Sequence, residues 1–184
     1  INDDGLINSY QKIHPVPMAE HIPFSSVFPS LKKLNLGQAN WEIGKEYTIF
    51  EKNDKKFCGV ICYESTYPSL VRNFVKKGAE FIAVLVNDGW YETPPEPQQH
   101  AYQSIFRAIE NRRTVIRSAN TGISLIVDPS GKILRETELN KQTGISASIN
   151  LFNELTFYAK YGDVFSWVML ILTFSLLGIN IKRK

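Results

Sequence analysis

The sequence is poor in cysteine and nearly balanced in charge. Its two cysteines, Cys58 and Cys62, can form at most one disulfide and stand in no C-x-x-C pair. That excludes a disulfide scaffold and gives no support to zinc or dithiol redox chemistry. No metal-ligand spacing occurs elsewhere, so neither a metal nor another cofactor is expected. Lys plus Arg exceed Asp plus Glu by only 21 to 18, too small an excess for a nucleic-acid-binding surface. Low-complexity tracts, internal repeats and interdomain linkers are lacking, and 12% aromatic with 43% hydrophobic residues excludes a disordered chain. An initiator Met is lacking too. The chain opens Ile1-Asn2-Asp3, as an internal segment would, and shows no signal peptide.

The small charge excess sits in one place. Without the last three residues, Lys182, Arg183 and Lys184, the chain carries 18 positive and 18 negative side chains. Directly before them, Val164 to Ile181 (VFSWVMLILTFSLLGINI) contains no charge. As a helix it would span roughly 27 Å at about 1.5 Å per residue, close to the ~30 Å hydrocarbon core of a bilayer. A buried core helix is the alternative; the abrupt basic stop favours a transmembrane helix over 163–181 with a cytoplasmic basic tail over 182–184. The positive-inside rule then puts the neutral body, residues 1–162, on the outer face.

Along that body, short apolar runs alternate with amphipathic stretches. Strands are expected at Phe57–Tyr63, Phe81–Asn87, Thr114–Ala119, Ile123–Asp128, Ile133–Thr137 and Ile145–Leu151. Helices are expected at Tyr67–Lys77, with Pro68 in the first turn, and at Gln98–Arg113, where Ala101, Ile105, Ala108 and Ile109 recur at helical spacing. Pro129-Ser130-Gly131-Lys132 is a hairpin turn. This order describes an α/β layered domain.

Reactive side chains gather at three places. Lys12 to Pro23 holds three prolines in nine residues, a rigid loop with Lys12 and Glu20 towards its two ends. Cys62 follows an apolar strand and meets the polar Tyr63-Glu64. Asn87-Asp88-Gly89-Trp90 ends another apolar strand, where open α/β sheets collect ligands. Each has a structural explanation by itself: a buried cysteine, solvated surface charges, an Asn-Asp-Gly turn, a core tryptophan. Cys58 lies four residues before Cys62, roughly 13 Å away at about 3.3 Å per residue on one strand, too far for a disulfide, and packing is its expected role. His14 and His21 fall in the proline loop and His100 opens a helix, with no spacing that pairs them with Cys62.

Together, Lys12-x-x-x-Val16-Pro17-x-x-Glu20-x-x-Pro23, Ile61-Cys62-Tyr63-Glu64 and Asn87-Asp88-Gly89-Trp90 resemble the carbon–nitrogen hydrolase (nitrilase) superfamily. Arg117-Ser118-Ala119-Asn120-Thr121-Gly122, and Phe157 to Asp163 ahead of the apolar terminal helix, favour its membrane-bound, lipoprotein-acylating branch over soluble amidases. The resemblance implies a nitrilase-like α-β-β-α sandwich, of which residues 1–162 are the C-terminal part. It implies Cys62 as the nucleophile, taking a fatty acyl chain from a phospholipid as a thioester and passing it to the α-amine of a diacylglyceryl-cysteine on an apolipoprotein. A thiolate is the attacking form and a nearby cation favours it. Lys12 is that cation and, with the Tyr63 backbone N–H, the oxyanion donor. Glu20 supports Lys12, while Tyr63, Glu64 and Trp90 fall on the acyl-binding side. The implied setting is a monomer in the bacterial inner membrane, multi-pass in full length, with the catalytic domain on the periplasmic face. The remaining alternatives are a superfamily amidase acting on a small amide, and a membrane-anchored domain that only binds.

The superfamily's general-base glutamate precedes its lysine, whereas Glu42, Glu46 and Glu51 lie between Lys12 and Cys62. The isolated 184-residue chain is therefore expected to carry out no acyl transfer, and transfer detected with it would contradict this expectation.

Overall fold

The computed structural model describes residues 8–25, 27–33, 41–90 and 95–182. Six strands form one sheet in chain order: β1 (Ile49–Lys52), β2 (Lys55–Ile61), β3 (Phe81–Val86), β4 (Thr114–Ala119), β5 (Leu125–Val127) and β6 (Ile133–Glu136). The central β2, β3 and β4 run parallel, and the outer pairs are antiparallel. Parallel strands need crossovers, and the two long helices supply them: α1 (Pro68–Lys76) joins β2 to β3, and α2 (Glu96–Asn111) joins β3 to β4.

Alternation along the parallel strands decides which side chains meet the helices. Cys58 and Val60 of β2, Ile82 and Val84 of β3 and Val115 of β4 are fully buried, in one core with Leu70, Val71, Phe74 and Val75 of α1 and Ala101 and Ala108 of α2. The opposite face carries Phe50, Phe57 and Phe81 stacked with centroids 5.4 and 5.0 Å apart. There Leu85 is 58% exposed. The described residues thus form a sheet covered by helices on one face; the second sheet of the expected sandwich is not among them.

The expected elements appear within a few residues of their predicted bounds; a 3₁₀ turn at Pro29–Lys33 and a short helix at Phe157–Tyr161 are additional, and three further differences stand out. β1 was not anticipated. It pairs with β2 through a two-residue turn in which Asn53 and Asp54 have φ of 52° and 59°, the left-handed pair of a hairpin turn that Asn and Asp tolerate. The expected strand Ile145–Leu151 has no regular structure. Side chains at the start of β4 hold the end of that stretch and the segment after it: Thr114 Oγ1 donates to the Asn150 carbonyl (3.2 Å) and buried Arg113 to that of Glu154 (3.0 Å). The third difference is the inner face of α2. Ile109 is half exposed, while His100, Ser104, Arg107 and Asn111 join Ala101 and Ala108 in the interior.

After α3 (Phe157–Tyr161) the chain turns at Gly162 into α4 (Val164–Lys182), whose described side chains are exposed along its length and apolar almost throughout. Among the described residues no helix is long and apolar enough to cross a membrane. The side chains of 179–184, which include the end of the expected span and the basic tail, lie outside the described residues.

Candidate active site

β2 ends at Ile61, and the chain turns at once into a single 3₁₀ turn, Cys62–Thr66. Cys62 has φ 51°, a left-handed backbone that costs a non-glycine residue about 1–2 kcal/mol. This bend takes Cys62 out of the strand. Its side chain is half-buried, with Sγ 3.8 Å from the Asn87 carbonyl oxygen at the end of the neighbouring parallel strand. The two cysteines are free thiols, and burial pushes that of Cys58 well up.

Glu64 lies two positions after Cys62 and was expected on the acyl-binding side. It is instead fully buried, and both carboxylate oxygens are taken by the protein. Oε1 accepts from Tyr10 Oη (2.7 Å), Ile13 N (2.6 Å) and His14 N (3.0 Å), and Oε2 from Ile61 N (2.8 Å). The carboxylate therefore closes the Cys62 turn and grips the proline loop beside Lys12. Burial, then the bond to Glu64, raises the Tyr10 hydroxyl's pKa. The loop's two ends meet: Lys12 Nζ donates to Glu20 Oε2 at 2.6 Å, and Val16 N donates to the same oxygen at 2.7 Å. The carbonyl of Lys12 is held by Gly44 N (2.8 Å), where a Cβ would overlap the Gln11 backbone. His14 stacks on Tyr67 (4.5 Å), whose ring meets Tyr63 edge-on (5.3 Å). Trp90 is 80% exposed at the rim.

A second buried network stands behind Cys62. Asp88 Oδ2 accepts from Arg117 Nη2 (2.6 Å) and Oδ1 faces His100 Nδ1 (2.8 Å). Arg117 Nε donates to the Ile123 carbonyl (3.1 Å). His100 Nε2 lies 3.3 Å from both the Cys62 carbonyl oxygen and Ser65 Oγ, and Ser65 Oγ donates to that carbonyl at 2.8 Å. His100, which spacing did not associate with Cys62, thus touches its backbone. The available signal was the polar set His100, Ser104, Arg107 and Asn111 at helical spacing, matching the buried face of α2. Burial raises the Asp88 carboxyl's pKa, but the bond to His100 and the Arg117 charge outweigh it and hold the net value below the usual carboxylate range.

Cys62 thus stands in a left-handed turn at the carboxyl end of a central parallel strand, and Glu64 links that turn to the loop that carries the Lys12–Glu20 pair. The chain belongs to the carbon–nitrogen hydrolase family, whose model matches residues 1–153. It is 37% identical over 174 residues to an apolipoprotein N-acyltransferase of Chlorobaculum tepidum, covering 90% of this chain and 33% of that protein. The enzymes of that name from Geobacter metallireducens (31%; 97% of this chain, 34% of the relative) and Thermotoga maritima (35%; 89% and 32%) are similar as well. The chain therefore spans about a third of the length of these curated relatives. Among solved structures, an amidase of the nitrilase superfamily from Nesterenkonia AN1 shares the fold, with a TM-score of 0.55 at 18% identity over 73% of this chain and 48% of that one.

Two outcomes follow from this geometry. Glu64→Ala strands three backbone N–H groups and the Tyr10 hydroxyl, a loss of about 3 kcal/mol or more in urea unfolding. Glu64→Gln, which can still accept at one oxygen, is expected to lose less. Because the Asp88 pKa is lower in the folded protein than in the unfolded chain, its stabilisation is complete above the ordinary carboxylate range and is lost as pH falls through the lowered value. Asp88→Asn should flatten that acid limb of a stability–pH profile.

Proposed function

We infer that this chain is the lysine-and-cysteine part of an apolipoprotein N-acyltransferase acting at the bacterial inner membrane. One observation carries the reading: Glu64 ties the turn that presents Cys62 to the loop that holds the Lys12–Glu20 pair. In the proposed cycle Cys62 Sγ, as thiolate, attacks the ester carbonyl carbon of a phospholipid. A C–S bond forms, the ester C–O bond breaks, and the lysophospholipid leaves with the proton that the family's general-base glutamate had taken from the thiol. The α-amine of a diacylglyceryl-cysteine on the apolipoprotein then attacks the thioester carbon. An amide forms, the thiolate departs, and the amine's proton passes to the glutamate general base that the family carries ahead of its lysine.

Lys12 Nζ and the Tyr63 backbone N–H stabilise both tetrahedral oxyanions, and Glu20 keeps Lys12 in place. Tyr63 and exposed Trp90 stand on the acyl side, whereas Glu64, wholly buried, acts through the two loops it joins. The exposed apolar side chains of α4 favour a membrane setting over 163–181. So do two of its polar residues, which satisfy themselves: Thr173 Oγ1 donates to the Met169 carbonyl and Ser175 Oγ to that of Ile171, both at 2.8 Å. The sheet face of half-buried Phe57 and Phe81 and exposed Leu85, which carries no helix among the described residues, suits the packing of a second sheet, as the sandwich requires.

The fold shared with the Nesterenkonia AN1 amidase favours a second reading, hydrolysis of a small amide. An apolar helix such as α4 gives a water-soluble substrate no advantage. Mass spectrometry of the full-length protein after mixing with phosphatidylethanolamine separates the readings. An acyl adduct on Cys62, abolished by Cys62→Ala and retained by Cys58→Ala, is expected. Small-amide hydrolysis with no adduct would favour the amidase, and neither activity would leave a domain that only binds.

A further inference from the structure

The amide unit that follows Cys62 has two ends with different partners. Its N–H belongs to Tyr63 and, in the function proposed above, faces the oxyanion. Its C=O belongs to Cys62 and points into the protein, where Ser65 Oγ donates to it at 2.8 Å and His100 Nε2 approaches to 3.3 Å. His100 does not reach this carbonyl by chance of packing. Its Nδ1 is 2.8 Å from Asp88 Oδ1, and Asp88 is itself fixed by Arg117 at 2.6 Å and, through its backbone N–H, by Asn120 Oδ1 at 3.1 Å. All four side chains of this relay, Ser65, Asp88, His100 and Arg117, are at least 94% buried. The site leaves no space for change on its far side, since a Cβ on Gly122 would overlap the Asp88 carboxylate.

The hydrogen positions follow from what each atom can offer. Asp88 Oδ1 accepts, so Nδ1 carries a proton. The Cys62 carbonyl can only accept, and it takes the Ser65 hydrogen across the shorter contact, so His100 acts on the same oxygen when Nε2 carries a proton as well. A carbonyl that accepts two hydrogen bonds polarises its own amide, and the N–H at the other end becomes a stronger donor. The same two bonds hold Cys62 in its left-handed conformation, which fixes where Sγ and the Tyr63 N–H stand relative to each other.

We propose that His100 is a positioning residue for the nucleophile: anchored by Asp88 and Arg117, it acts with Ser65 on the Cys62 carbonyl to fix the nucleophile turn and strengthen the Tyr63 N–H as an oxyanion donor. This inference rests on the assignment of Cys62 as an acyl-accepting nucleophile, but not on the identity of the acyl donor.

The test compares two reactions of Cys62 in the full-length protein. Acylation by p-nitrophenyl butyrate passes through an oxyanion, whereas alkylation by iodoacetamide does not. Ser65→Ala, His100→Ala and His100→Gln are compared with the wild type, with protection of buried Cys58 from alkylation as the folding control. Ser65→Ala and His100→Ala should slow acylation about tenfold or more, short of the roughly 100- to 1,000-fold loss for deleting an oxyanion donor outright. Alkylation of Cys62 should stay within about threefold if the thiol itself is undisturbed. His100→Gln, whose amide can still donate to the carbonyl, should recover part of the loss. Ser65→Ala, which removes a single oxygen, decides the matter if His100→Ala exposes Cys58. Equal slowing of both reactions, or unchanged acylation with Cys58 protected, would overturn the proposal. A wild type that is acylated by the ester but not by phosphatidylethanolamine would sink the phospholipid reading and leave this comparison intact.

Discussion

The buried carboxylate of Glu64 is the constraint on which the rest of the site depends. Two segments far apart in the chain must meet, one carrying the thiol at the end of β2 and the other the lysine in an irregular loop, and no strand pairing among the described residues joins them. A carboxylate out of water needs several donors, and here four are supplied: one closes the Cys62 turn, and three come from residues 10 to 14. The charge cannot be satisfied unless both segments are in place. Desolvation, elsewhere a cost, becomes here a condition on geometry.

The same logic repeats on a smaller scale around it. The Lys12–Glu20 pair closes the proline loop, and its partial burial suits orientation better than stability, since ion pairs of this kind add little net free energy. Asp88 gathers Arg117 and His100 behind Cys62, so the ends of β3 and β4 and the inner face of α2 converge on one carbonyl. The left-handed backbone of Cys62 costs about 1–2 kcal/mol, which the bonds to its carbonyl and the closure by Glu64 offset. A thiol that projects from a strained turn between two parallel strands stays accessible, while Cys58, four residues earlier on the regular strand, is sealed in the core.

The parallel core was legible because β2, β3 and β4 are buried on the helix side and written in continuous apolar runs that the eye and the physics read alike. Thr114–Ala119 came out at its observed bounds. β1 escaped because Ile49–Lys52 is short, half of it exposed, and becomes a strand only through the Asn53-Asp54 turn. Ile145–Leu151 was expected as a strand, yet it has no regular structure, and the Asn150 carbonyl is taken by the Thr114 hydroxyl. At the site, Lys12, Glu20 and Cys62 could be named from their motifs. The burial of Glu64 was not legible, because it depends on donors fifty residues away. His100 was passed over for the same reason: its contact with Cys62 exists only after α2 has docked.

Amide hydrogen exchange, followed residue by residue, tests the Glu64 clamp most directly. The N–H groups of Ile13, His14 and Ile61 all donate to this one side chain. In Glu64→Gln all three should exchange faster together while the amides of β3 keep their protection. Acceleration at Ile61 alone, with Ile13 and His14 unchanged, would show that the lysine loop is held in some other way and would contradict the account.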